Sequence, residues 1–333
     1  MLQKIKNRYP LLYIRSKNEI AKRISSKKLS KEKALALIND VIENKDKYWH
    51  DVMGSSEPEK GKFVRSCKET KLGRLLWLID RKILAPHDYL IPEFIFGGIS
   101  EKDHVQAVQY LLGNHKKRSL LRLDVSKFFE QNKYQRVFGF FRYKCGCTTK
   151  PAHLLAKLCC VPLGKKNSKT TEESLARGFA TSTRLALWCN LDLFIKISWE
   201  IRQFLKGKDP RIAIFVDDIG VTASRVSKET MARLSDRIEN ILNTKSLPHS
   251  LPINQIKKQN NIISYLDKNM EHLGLKIGRN KITIGQKTRL KQKELTNKLK
   301  NKNLSSSEKN TLIYKKKSYE NYKKYIKKIN TEN

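Results

Sequence analysis

Two adjacent aspartates, Asp217 and Asp218, interrupt the run Arg211-Ile-Ala-Ile-Phe-Val-Asp-Asp-Ile-Gly-Val-Thr-Ala-Ser224, and a third, Asp124, ends the apolar segment Leu120-Leu-Arg-Leu-Asp-Val125. Adjacent carboxylates at the end of an apolar strand repel one another and must be desolvated there, and a divalent cation relieves both costs. The competing reading is a solvated Asp-Asp turn, because Asp tolerates turn conformations well. Phosphoryl transfer with two Mg²⁺ ions about 3.5–4 Å apart needs at least two carboxylates brought together from different elements. Asp124 and Asp217 meet that need, with Asp218 in support. Magnesium takes oxygen ligands and keeps several waters, so neither His nor Cys is required. Mn²⁺ is the alternative ion.

The elements that must position these residues follow from periodicity. Leu120–Val125 predicts a strand, and Ser126 an N-cap for a helix beginning Lys127-Phe-Phe-Glu-Gln. From Thr181 to Leu205, helical spacing of Leu185, Trp188, Leu191 and Ile195 predicts one long helix stopped by Gly207. The hairpin over 211–224 comes next, then a helix from Ser227 to Thr244 with Met231, Leu234, Ile238 and Ile241 on one face. A loop with Pro248 and Pro252 leads to a further helix. The strands Leu273–Ile277 and Lys281–Ile284 then close the unit. This succession predicts an α+β fold with a split β-α-β, ferredoxin-like sheet, on which Asp124 and the hairpin tip meet on neighbouring central strands. Three regions are expected: a helical segment over 1–60, closed by a linker near Asp51–Gly61, a main unit over 61–285, and a basic helical tail over 286–333.

Composition narrows the partner. Lys and Arg number 69 against 32 Asp and Glu, for a formal net charge of +37 and a pI near 10.0. Such an excess calls for a polyanion, either nucleic acid or an anionic membrane surface. The start Met-Leu-Gln-Lys-Ile-Lys offers no myristoylation site and no apolar signal core, and charges such as Asp80, Arg81 and Lys196 break the apolar stretches. No membrane partner is expected, and the location is expected to be cytoplasmic. Six cysteines without a secretory signal imply a reducing compartment and free thiols. Cys145, Cys147, Cys159, Cys160 and His153 match no common zinc spacing. In the tail, lysines interleaved with Tyr314, Tyr319, Tyr322 and Tyr325 fit either a solvated face or a helix that tracks a phosphate backbone.

Five segments in order carry a resemblance to the bacterial reverse transcriptases, the group that includes retron, group II intron and phage-defence enzymes. It covers roughly residues 60–290. Leu123-Asp-Val-Ser-Lys-Phe-Phe129 resembles motif A, and Phe215-Val-Asp-Asp218 the metal-binding motif C, with Phe where Tyr is usual. Gly178-Phe-Ala-Thr-Ser182 resembles motif B, which packs under the incoming nucleotide. Gly274-Leu-Lys-Ile-Gly-Arg-Asn-Lys281 resembles motif D, and Phe96-Gly-Gly-Ile-Ser100 a fingers segment upstream of motif A.

The resemblance implies a right-hand polymerase with a ferredoxin-like palm, fingers, and a short basic helical thumb. Asp124, Asp217 and Asp218 would be its metal ligands. Phe129 would be the steric gate that crowds a 2′-hydroxyl, although helix core is the plainer role for a Phe there. Lys281 would give a proton to departing pyrophosphate, unless it is simply an exposed lysine at a strand end. Gly178 and Ser182 would line the nucleotide pocket. Arg177 stands where relatives commonly have Gln, and is placed to meet a phosphate or a base edge. Arg74 and Arg81 are candidates to clasp the triphosphate. Thr183 replaces the usual Pro after Ser182, and no Val-Thr-Gly signature follows Gln286, which points away from retrons and towards defence-associated enzymes.

The expected activity is RNA-directed DNA synthesis from dNTPs, with an RNA template or non-coding RNA and a DNA product as partners, in anti-phage defence. A partner protein or homo-oligomer would compensate for the short thumb. Three alternatives stand beside it: untemplated or protein-primed DNA synthesis with a tail tyrosine as primer, a retron-type enzyme, and a non-catalytic nucleic-acid-binding module.

Overall fold

The computed structural model describes residues 8–114, 117–243, 251–258, 261–267, 270–300 and 305–331. Four strands form the central sheet: β1 (Arg118–Asp124), β2 (Arg211–Phe215), β3 (Asp218–Ser224) and β4 (Ile262–Ile263). Their spatial order is β2-β3-β1-β4, and every neighbouring pair is antiparallel. Helices lie between β1 and β2, and helix Lys228–Leu242 lies between β3 and β4. This is the split β-α-β succession that the hydrophobic pattern predicts.

The two-residue period of the strands divides the core. Leu121, Leu123, Ile212, Ile214, Ile219, Val221 and Ala223 pack into the main cluster, with helices Lys71–Ile79, Thr149–Cys159, Leu191–Phe204 and Lys228–Leu242. The helices Lys17–Ile24 and Lys31–Asn44 contribute Ile20, Ile24, Ile38 and Val41 to that same cluster. Leu120 and Ala213 point the other way, into a smaller cluster with helix His104–Tyr110 and with Ile326 and Ile329 of the C-terminal helix Ser306–Thr331.

Several elements differ from the sequence expectation. Leu275–Ile277 and Ile282–Ile284 do not close the central sheet. With Glu271–His272 they form a separate three-stranded sheet, and the two residues of β4 take the expected edge beside β1. Labelled in chain order, these strands are β5 (Glu271–His272), β6 (Leu275–Ile277) and β7 (Ile282–Ile284). The helix after β1 is a single turn, Phe128–Gln131. Ser126 does not cap it, because Lys127 takes a left-handed conformation (φ 49°) and the Ser126 N–H bonds to Pro252 O. The long helix divides at Asn190 into Ser182–Cys189 and Leu191–Phe204, where the Asn190 amide donates to Asn132 Oδ1 (2.9 Å) and Ala186 O (2.6 Å). Within the expected linker, Asp51 pairs with Arg65 across a short two-stranded ladder.

The basic tail forms helices Gln286–Lys298 and Ser306–Thr331. Two of its tyrosines face inward. Tyr322 reaches His104 Nε2 (2.8 Å), and Tyr325 donates to Asp103 Oδ2 (2.6 Å). Tyr314 remains 76% exposed. Thr244 and Pro248, and the opening stretch Met1–Lys6, lie outside the described residues. No helix among the described residues is long and apolar enough to cross a membrane.

Candidate active site at the hairpin tip

Antiparallel register puts Asp124 of β1 directly opposite Asp218 of β3. Directly paired residues share a sheet face and have Cβ atoms about 4.5–5.5 Å apart. Asp217 sits in the two-residue turn between β2 and β3, and its carbonyl accepts the Val125 N–H at 2.9 Å, which fixes the tip against the end of β1. The sequence therefore gathers three carboxylates from two elements at one sheet end.

The turn is strained. Val216 has φ 60°, a conformation costly for a β-branched residue and common where function demands a fixed geometry. It is held by the Phe94–Gly97 segment, which runs along β2 through the bonds Phe96 N–H to Ile214 O (2.8 Å) and Ile214 N–H to Phe94 O (2.9 Å). A side chain at Gly97 would put its Cβ 2.4 Å from the Val216 nitrogen, so only glycine permits this approach. Gly98, at φ 72°, lies as closely against Thr183 in the first turn of helix Ser182–Cys189. The Phe96–Ser100 segment thus joins the hairpin tip to the helix that follows Gly178.

Charge at the tip is unbalanced. Burial, and then the charges of Asp217 and Asp124, push the Asp218 carboxyl up to about 7. Burial, followed by Asp124, also raises Asp217. Lys257, on the short helix Gln255–Lys258, answers part of this charge with an ion pair to Asp124 Oδ1 at 2.6 Å. Asn254 of the preceding loop donates to Asp124 Oδ2 at 3.2 Å. Burial opposes the charge on Lys257, but its bond to Asp124 and the three aspartates outweigh that and raise its pKa. Sequence reasoning looked for a lysine at 281 and missed this one. The available signal was Ile253-Asn-Gln-Ile-Lys257 following directly on Pro252, in a chain where lysines are everywhere.

Asp124 and Asp218 open onto a cleft of about 500 Å³, walled also by Lys257, His272, Gly274 and Lys287. His272 lies over Gly220, where a Cβ would come within 2.6 Å of its Nε2. It is buried with no hydrogen-bond partner for that nitrogen among the described residues, and burial, then nearby Arg122, lowers its pKa to about 4.

The other predicted residues are placed as follows. Phe129 is buried, with the Arg177 guanidinium 5.0 Å over its ring. Arg177 is also engaged by Glu130, at 3.2 and 3.1 Å, so its charge is already paired. Gly178 has φ 104°, and a Cβ there would come within 2.4 Å of Arg65 O. Ser182 is buried and donates to Ala176 O at 2.6 Å. Arg74 and Arg81 lie exposed on the face of Lys71–Ile79 and the turn after it. They are not among the residues around the aspartate cleft, and neither is Lys281, which lies in the turn between β6 and β7.

The donor set at the tip is all oxygen, which suits a hard divalent cation and offers nothing to a soft one. The repulsion that raises Asp218 is what such an ion would relieve. The side chains are not gathered around a metal position: among the described residues, no group of three or more His, Cys, Asp or Glu could hold an ion, and Asp124 is turned to Lys257 and Asn254. By chemistry and register the carboxylates suit a hard divalent cation, and Lys257 is the cation that engages Asp124 in this structure. The six cysteines all carry free thiols.

No family model and no curated protein matches the sequence. Among solved structures, a telomerase from Candida albicans in complex with a fragment of telomeric RNA is similar over 65% of this chain at 12% identity, with a TM-score of 0.41. This chain spans 38% of the length of that one. A likeness so slight assigns no fold.

Proposed function

We propose that this chain is an RNA-directed DNA polymerase, adding dNTPs by nucleotidyl transfer at the hairpin tip. One observation carries the reading: Asp124 and Asp218 stand opposite each other in register with Asp217 beside them in the strained turn between β2 and β3, three carboxylates whose mutual repulsion a protein core does not keep without a use for it. The central sheet would be the palm, the Phe96–Ser100 and Lys71–Leu84 region the fingers, and the two C-terminal helices a short thumb.

Asp124, Asp217 and Asp218 would hold Mg²⁺, or Mn²⁺ in its place. Bound there, the metal would lower the pKa of the primer hydroxyl and offset charge on the phosphates. Lys257 takes the proton-donating role first expected of Lys281, because it is the ammonium within reach of Asp124, and a released Lys257 would stand beside the departing pyrophosphate. Phe129, backed by Arg177 and Glu130, would present a fixed ring to the sugar and exclude a 2′-hydroxyl. Since Glu130 already neutralises Arg177, that arginine would shape the pocket more than it would bind phosphate. The +37 charge supports an RNA template or non-coding RNA and a DNA product as partners. A role in anti-phage defence rests on the sequence resemblance alone.

The test is incorporation of labelled dNTPs by the purified protein with its co-purifying nucleic acid and Mg²⁺, followed by digestion of the products. DNA whose synthesis is lost after RNase pretreatment supports RNA templating. Product that stays attached to protein after nuclease treatment would favour protein priming instead. No incorporation even with added cell extract would leave only a nucleic-acid-binding module.

A further inference from the structure

At the opposite end of the same hairpin the chain builds a second cleft, of about 770 Å³, that shares no lining residue with the aspartate cleft. It opens beside Arg211, the first residue of β2, four residues from Phe215 and so roughly 13 Å down the strand at about 3.3 Å per residue. Its walls come from separate parts of the chain: helix His104–Tyr110, the start of β2, the turn between β6 and β7, and the last turn of the C-terminal helix. That helix is fixed in place by Asn330, whose side chain both accepts from the Ile282 N–H and donates to the Ile282 O, each at 2.9 Å.

The lining has three kinds of group. Lys102, Arg211 and Arg279 supply positive charge. The Lys102 ammonium is held by the carbonyls of Ile95 (3.0 Å) and Glu93 (3.3 Å). Arg211 lies 5.6 Å over the Tyr110 ring, and although Asp209 Oδ1 is 3.2 Å from its Nε, that nitrogen lacks an aligned acceptor. Arg279 is exposed, with no ion pair or hydrogen bond among the described residues. Tyr110 and Phe96 then supply aromatic surface, with ring centroids 5.7 Å apart. Gln109 supplies a buried side-chain oxygen with no hydrogen-bond partner among the described residues. The carboxylates nearby are occupied: Asp209 by Arg118 (2.7 Å), and Glu93 by the Tyr110 hydroxyl (3.3 Å).

Arg279 has no acceptor among the described residues and Arg211 has only Asp209 Oδ1, so the two guanidiniums together can still hold an anion with several oxygens. A ring flanked by a guanidinium is a stacking surface. A buried amide oxygen without a donor wants an N–H. A nucleoside phosphate has all three: phosphate oxygens, a planar base, and amino or imino N–H groups on the base edge. A cleft of this size holds such a unit. We infer that this cleft binds a nucleoside 5′-phosphate unit, separate from the hairpin-tip site, with Arg211 and Arg279 on the phosphate and Gln109 on the base edge. The unit is either a free nucleotide or one residue of an RNA strand.

The test measures binding of a fluorescent AMP derivative and of a 5′-labelled single-stranded RNA decamer to the full chain, in EDTA so that no metal retains nucleotide at the aspartates. Arg279→Glu changes an exposed side chain and leaves the fold intact, and Asp217→Asn is the control at the other site. Expected is at least a tenfold loss of affinity in Arg279→Glu, none in Asp217→Asn, and photocrosslinks from an azido-substituted base to helix His104–Tyr110 or to residues 278–280. Saturable AMP binding identifies a free nucleotide as the source, and binding of the decamer alone identifies a strand. Binding of neither, binding unmoved by Arg279→Glu, or crosslinks confined to the aspartate cleft would overturn the inference.

Discussion

The two ends of the 211–224 hairpin handle charge in opposite ways. At the Arg211 end, Arg118 is 4% exposed and bonded to Asp209 Oδ2 (2.7 Å), Thr222 Oγ1 (3.0 Å) and Thr222 O (3.1 Å). Burial alone would raise Asp209, but the Asn114 N–H and Arg118 hold its carboxyl below the usual range. At the tip three carboxylates face the single ammonium of Lys257 among the described residues, Asp218 is pushed up to about 7, and Val216 is strained. One strand pair therefore joins an end whose buried Arg118–Asp209 charges are matched to an end whose carboxylates outnumber their cations. The first is what a stable fold selects, and the second persists where chemistry uses it.

The largest expected effect asks whether Lys257 belongs to the unsatisfied end. Lys257→Ala should lower incorporation by about 10²- to 10⁴-fold, the usual contribution of a positioned proton donor. Lys281→Ala should leave it within a few-fold, and equal losses in the two variants would remove Lys257 from the role. Next is the Arg118–Asp209 pair. Arg118→Ala leaves Asp209 only the Asn114 N–H and Arg211, and breaking a buried pair costs about 3–5 kcal/mol, readable as a lower midpoint in urea unfolding.

The smaller effect is a gain in stability. The folded pKa of Asp218 lies above its unfolded value, so its contribution is full at pH below about 3.8 and is lost as pH rises through about 7. Asp218→Asn cannot ionise and escapes that loss. In EDTA it should match the parent near pH 4 and exceed it at pH 8 by on the order of 2–4 kcal/mol, taking 1.36 kcal/mol per pKa unit. A constant difference across that range would show that Asp218 is not held near neutrality. Mg²⁺ should narrow the gap at pH 8, because it binds more tightly to the chain that retains all three carboxylates.

Much of this comparison was legible in the sequence. The strand expected over 120–125, which spans 118–124, and the hairpin have long apolar runs, signals that survive without tertiary context. Their antiparallel pairing then brings Asp124 to Asp218 as the split β-α-β order predicts. What was hidden depends on short elements. β4 is two residues long and has no period to detect, so the more conspicuous strands at 275–277 and 282–284 took its place in the expectation. A helix was expected after Pro252, but its single turn carries no signal that marks Lys257 as the lysine beside the aspartates. The pairing of Arg177 with Glu130 and the docking of Tyr322 and Tyr325 on helix His104–Tyr110 join residues 47, 218 and 222 positions apart, and no local pattern announces them.

The most direct measurement pairs activity with stability in Asp217→Asn. Removing one of three repelling carboxylates should abolish labelled dNTP incorporation in Mg²⁺ while keeping or raising the melting temperature in EDTA, since burial and Asp124 both work against the Asp217 charge. Retained incorporation with an intact fold would contradict the account, because the tip would then bear its strain and repulsion for some purpose other than this chemistry.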